Sequence, residues 1–69
     1  MDIWGEIGSS AGKIWSAFGG AVGKPLTAVE LKRKVGVDDT MLCMALGWLA
    51  REEKVVIDRK GDKLYVSLK

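Results

Sequence analysis

The sequence predicts a small α+β domain of three helices and a carboxy-terminal β-hairpin, and three features predict it. Between Trp4 and Phe18, apolar residues recur at spacings of three and four, the stripe of an amphipathic helix. From Asp38 onward, DDTMLCMALGWLAR has an acidic start and a long apolar body, which reads as a further helix. From Val55 to Leu68, apolar residues alternate on both sides of Gly61, as in two antiparallel strands joined by a tight turn.

The first helix carries Trp4, Ile7, Ala11, Ile14, Trp15 and Phe18 along its stripe, and Gly19-Gly20 supplies its stop. Its start has two readings: Asp2 caps a long helix, or Ser9 or Ser10 caps a shorter one. Gly5, Gly8 and Gly12 weaken the long version. On a helical wheel they share one side, so they read either as a smooth strip for another helix or as a frayed terminus. The frayed terminus is the expectation, because glycine destabilises helices by itself. Gly23-Lys24-Pro25 is a connector, and Leu26 contributes a short third strand. Thr27-Ala28-Val29-Glu30 is a capping box opening a short helix, with Ala28, Leu31 and Val35 inward, that Gly36 ends. Asp38 caps the third helix, with Val37 and Leu42 placed as a hydrophobic staple. Leu42, Ala45, Leu46 and Leu49 form its inner face. Met41, Met44 and Trp48 widen the apolar arc to roughly 200°, against the ~100° that a surface helix needs. In the hairpin, Val55 and Ile57 share parity, as do Leu64, Val66 and Leu68. A two-residue turn at Lys60-Gly61 or at Gly61-Asp62 puts both sets on one face. A short helix, a long helix and a basic-tipped hairpin in this order give the layout of a winged helix-turn-helix.

A chain of 69 residues makes one domain, residues 1–69, and a domain this small buries only ~60% of its unfolded surface. Its 48% hydrophobic content and three tryptophans are enough for a core, and more than a monomer easily hides. The single cysteine, Cys43, excludes an internal disulfide, which suits a reducing cytoplasm. Neither a signal peptide nor a membrane span is read. The net charge of +2 permits an acidic partner without pointing to one.

Catalysis is not expected. The chain has no histidine, the commonest general base. Ser10-Ala-Gly-Lys13 matches a bare S-x-x-K without the motifs that bracket it in acyl-enzymes. GSSAGK, from Gly8 to Lys13, is one residue short of a phosphate loop and has Ile14 where a magnesium-binding hydroxyl belongs. One cysteine and scattered carboxylates give no metal-ligand set. No cofactor or small-molecule ligand is read.

Two basic clusters are candidates for nucleic acid. Lys32, Arg33 and Lys34 lie on the second helix; Arg59, Lys60 and Lys63 crowd the wing tip. Such side chains hold phosphate without reading sequence. The amino-terminal outward positions of the third helix, which would face base edges, are Asp38, Asp39, Thr40, Cys43 and Gly47. Base reading favours arginine, lysine, asparagine or glutamine, and two aspartates repel phosphate. The expectation is therefore sequence-tolerant DNA binding by a non-enzymatic, transcription-associated protein. The alternative is a protein-interaction domain in which Trp4, Met41, Met44 and Trp48 form an apolar interface, with a homodimer as the expected assembly.

AGKIWSA, followed by LTAVELKRKVGV, MALGWLAREEKV and GDKLYVSL, resembles a family of very short prokaryotic winged helix-turn-helix proteins filed as a domain of unknown function. The similarity runs from about Ile7 to Leu68, and its most specific element is the run from Ala45 to Glu52. The resemblance implies a winged helix and a DNA-binding or regulatory role assigned by fold. It brings no established substrate or site residues.

Overall fold

The computed structural model describes residues 2–69. The chain runs α1 (Ile3–Ala17), β1 (Leu26–Thr27), α2 (Ala28–Val35), α3 (Asp39–Arg51), β2 (Val55–Lys60) and β3 (Lys63–Leu68). The strands form one antiparallel sheet in the order β1-β3-β2, so the last strand of the chain lies in the middle. The short strand expected at Leu26 is present, with Leu26 opposite Val66 and Thr27 opposite Tyr65.

Asp2 starts the long version of α1: its carboxylate accepts from the Gly5 N–H at 2.6 Å. The frayed terminus is therefore not what forms. Gly5, Gly8 and Gly12 lie inside a continuous helix, where each costs about 1 kcal/mol relative to alanine. The helix tolerates them because Ile7, Ala11, Ile14 and Phe18 are buried along the opposite side. No close approach within the chain requires these glycines. A Cβ at Gly8 or Gly12 would meet nothing within 4 Å, and one at Gly5 would meet only the Asp2 carboxylate, at 3.3 Å. Trp4 and Trp15 sit at the edge of the buried stripe and remain in solvent.

α2 opens with the reciprocal bonds expected of its sequence. The Glu30 N–H donates to Thr27 Oγ1 at 3.1 Å, and the Thr27 N–H donates to Glu30 Oε1 at 3.0 Å. These bonds, the backbone one first, hold the Glu30 carboxyl below its ordinary pKa of 4.5. Gly36 closes the helix with φ at 76°. α3 begins where Asp38 accepts from the Met41 N–H at 2.8 Å. Its end has no glycine. The Lys54 N–H donates to the Leu49 carbonyl at 3.0 Å and the Glu53 N–H to the Ala50 carbonyl at 3.1 Å, a Schellman closure. That closure forces Glu53 to a φ of 58°, a region that disfavours side chains with a Cβ.

The hairpin register runs from Val55 opposite Leu68 to Lys60 opposite Lys63, so Gly61-Asp62 is the two-residue loop. A positive φ of 65° at Gly61, without one at Asp62, gives the sign pattern of a type II′ turn. Val55, Ile57, Val66 and Leu68 then face the helices, while Val56, Asp58, Tyr65 and Ser67 face outward. Fully buried Ile14 of α1, Leu31 of α2, Ala45 of α3 and Val66 of β3 belong to one apolar cluster, so helices and sheet share a single core.

The surplus arc of α3 is partly covered by α1. Met41 and Met44 are half-buried, and Trp48 keeps 39% of its surface in solvent.

Two outcomes follow from these helix ends. Replacing Glu53 by glycine removes the left-handed strain at the α3–β2 junction and is expected to raise stability by about 1 kcal/mol, read by urea denaturation. The lowered pKa of Glu30 means that its contribution is present above the unfolded-state value and is lost as pH falls through the folded value. Glu30→Gln is therefore expected to destabilise the fold at neutral pH, with the gap to wild type in thermal melts closing as acid protonates the Glu30 carboxyl.

Candidate nucleic-acid interface

The six basic residues expected to meet nucleic acid do not form one patch. On α2, successive side chains are about 100° apart, so Lys32, Arg33 and Lys34 fan around the helix. Lys32 turns toward α3, and its Nζ lies 3.0 Å from Asp39 Oδ1. Lys34 turns toward α1, where it shares an open groove with Ser9, Lys13 and Ser16. Arg33 is exposed between them. Lys13 thus joins the basic surface through the α1–α2 packing. Its sequence neighbours gave no sign of this, because the juxtaposition is tertiary.

At the wing, strand alternation separates the cations. Lys60 and Lys63 are directly opposed on the outer face, whereas Arg59 is opposed to Leu64 on the inner face, beyond the edge of the core. Like charges placed opposite each other destabilise a strand pair. The carboxylates nearby in sequence do not neutralise them: among the described residues the ion pairs are Lys32–Asp39 and Lys69–Glu53. Lys60 Nζ instead lies 5.7 Å from the centre of the Tyr65 ring, a cation–π contact on the same face. The wing tip leans over the start of α2, and a cleft of about 420 Å³ separates them, lined by Thr27, Ala28, Val29, Asp62, Lys63 and Leu64.

The outward side of α3 is acidic only at its start, and both aspartates there are engaged. Asp38 caps the helix and Asp39 pairs with Lys32. Beyond them Thr40, Cys43, Gly47 and Ala50 are exposed and small. This side offers no long hydrogen-bonding side chain for a base edge until Arg51 at the last turn.

The four apolar residues read as an interface are divided by α1. Met41 lines a cleft with Glu6 and Ser10, on one side of α1. Trp48 lines a different cleft with Gly8, Gly12 and Trp15, on the other side. Trp4 is 69% exposed and Met44 is half-buried. Sequence reasoning assigned Trp15 to the core stripe, yet 47% of it is in solvent beside Trp48.

This arrangement has relatives. A family model described as a winged helix-turn-helix domain, DUF2582, matches residues 1–68, so the glycine-bearing start belongs to the family pattern. The chain is 41% identical over 69 residues to the uncharacterized protein MJ1608 of Methanocaldococcus jannaschii, covering 99% of this chain and 97% of that one. It is similar to the solution NMR structure of protein BT2368 from Bacteroides thetaiotaomicron, with a TM-score of 0.74 and 41% identity, covering 91% of this chain and 74% of that one.

Both members of the Lys32–Asp39 pair reach solvent, so their attraction is weak. A double-mutant cycle with Lys32→Ala and Asp39→Ala is expected to give a coupling of about 0.5 kcal/mol or less, vanishing in high salt.

Proposed function

Because the chain belongs to this family of winged helix-turn-helix domains, we propose that it binds duplex DNA through phosphate contacts led by the wing and without base reading. The observation that carries this reading is the unneutralised Lys60–Lys63 pair. Two ammonium groups held across a strand pair repel each other in the free protein, and a phosphate bridging them relieves that repulsion while releasing counterions from DNA. Arg59 extends the positive tip on its other face. Arg33 and Lys34 supply further contacts from α2. Lys32 contributes least, since its charge is already engaged by Asp39.

Sequence tolerance follows from α3. Its outward side is small, and its amino-terminal carboxylates are committed to a cap and an ion pair. Phosphate contacts fix the register of a protein on DNA and carry no sequence information. We read the protein as non-enzymatic and transcription-associated: it has no histidine and no paired acid–base constellation. No helix among the described residues is long and apolar enough to cross a membrane. The lone thiol of Cys43 is exposed, and a reducing cytoplasm is the compartment that keeps such a group free.

Fluorescence anisotropy with random duplex DNA across a salt series tests this reading. Five free cations predict a log–log salt slope of about −4.5 for wild type. Lys60→Ala with Lys63→Ala is expected to shrink that slope by about 2 and to weaken binding equally for unrelated sequences. A slope unchanged by the double substitution, or a strong preference for one sequence, contradicts the proposal.

A further inference from the structure

We propose that the groove between α1 and α2 is a binding site for a phosphate group, held by the ammonium groups of Lys13 and Lys34 and the hydroxyls of Ser9 and Ser16. The wing reading uses neither Lys13 nor the serines, so the two proposals stand or fall separately.

The sequence holds a trace of this site. GSSAGK, from Gly8 to Lys13, falls short of a phosphate loop, and it lies wholly inside α1. Its N–H groups are therefore spent on carbonyls one turn back and do not cradle an anion as a loop does. Its side chains remain available. Ser9, Lys13 and Ser16 follow at steps of four and three, which puts them on one face of α1. That face meets the end of α2, where Lys34 completes an open groove of about 670 Å³. Ala17 and Val35, which also line it, pack against the core and hold the two helices at this spacing.

Three observations give the groove its ligand. The first is charge. Cations from two different helices line it, and no carboxylate does. Both lysines are exposed, and neither is in an ion pair among the described residues. Glu30 stands one turn before Lys34 on α2, but its carboxylate is held by Thr27. The second is free donors. The side-chain hydrogen bonds among the described residues involve Asp2, Thr27, Glu30 and Asp38, which leaves the hydroxyls of Ser9 and Ser16 free to donate. The third is room. Gly12 lies among these side chains, and a Cβ there would meet nothing within 4 Å.

The donors arrive from two walls. A phosphate spreads its charge over oxygens that point in three dimensions, so all of these donors reach it, whereas a planar carboxylate serves fewer. A nucleic-acid backbone and free phosphate both present this group. Because both cations are solvated, a single phosphate is held with a dissociation constant on the order of millimolar, and salt weakens it.

Chemical-shift titrations of the full chain test the proposal, with sodium phosphate, with sodium chloride at equal ionic strength, and with random duplex DNA. The expected result is a saturable shift of the Ser9, Lys13, Ser16 and Lys34 amides that chloride does not reproduce. Lys13→Gln is expected to weaken it by about fivefold. Ser9→Ala with Ser16→Ala leaves the charge unchanged and is expected to weaken it by about threefold. A groove response to DNA assigns the group to a nucleic-acid backbone; a response to sodium phosphate alone assigns it to free phosphate. A groove that answers while the wing stays silent keeps this proposal and removes the wing reading. A groove silent to both probes overturns this proposal alone, whatever the wing does. Shifts that chloride matches, or variants that bind as well as wild type, overturn it too.

Discussion

Val66 sits in the middle of the central strand, wholly out of solvent, between Leu26 of β1 and Ile57 of β2. It shares one apolar cluster with Ile14, Leu31 and Ala45, each from a different helix and each fully buried. A two-stranded hairpin is marginal in water by itself; a third strand and a helical floor make it persist. Both supports converge on β3. The wing is therefore an extension of the core at its root and a solvated arm at its tip, where every residue from Asp58 to Lys63 is exposed. The rigid root holds Lys60 and Lys63 in opposition, and the solvated tip leaves them free to meet an anion.

A sequence specifies one structure when local preferences agree with the global fold, and departures from that agreement gather where function is served. This chain departs in three surface places. Glycines interrupt α1 where, at Gly8 and Gly12, an added Cβ would meet nothing within 4 Å. Two lysines oppose each other in the wing. Tryptophans stand in solvent along the border of α1 and α3. The first and third coincide, which ties them to one surface, while the second lies at the far end of the sheet.

Much of this fold was legible because its signals are local. The Thr27–Glu30 box, the Asp38 cap and the stop at Gly36 each rest on chemistry within a few residues, and each forms as read. The hairpin faces were legible from parity. The opposition of Lys60 and Lys63 was not, because parity allowed two turns and only Gly61-Asp62 produces it. The end of α3 was hidden, since Glu53 occupies a position where glycine is the usual signal. The Lys32–Asp39 pair, the arrival of Lys13 beside Lys34 and the splitting of Met41 from Trp48 by α1 are tertiary facts that no one-dimensional pattern carries. Periodicity also set Trp4 and Trp15 within the apolar stripe of α1, although at its edge a large ring projects past the core into water.

Native-state hydrogen exchange tests most directly whether helices and sheet share one core. The account predicts that amides at the centre of β3, around Val66, exchange only through global unfolding, with the same opening free energy and denaturant dependence as amides around Ile14 in α1 and Leu46 in α3. If β3 instead exchanged through a local opening of much lower free energy while the helices stayed protected, the hairpin would be a loosely attached flap. The geometry that opposes Lys60 to Lys63 would then have no fixed base.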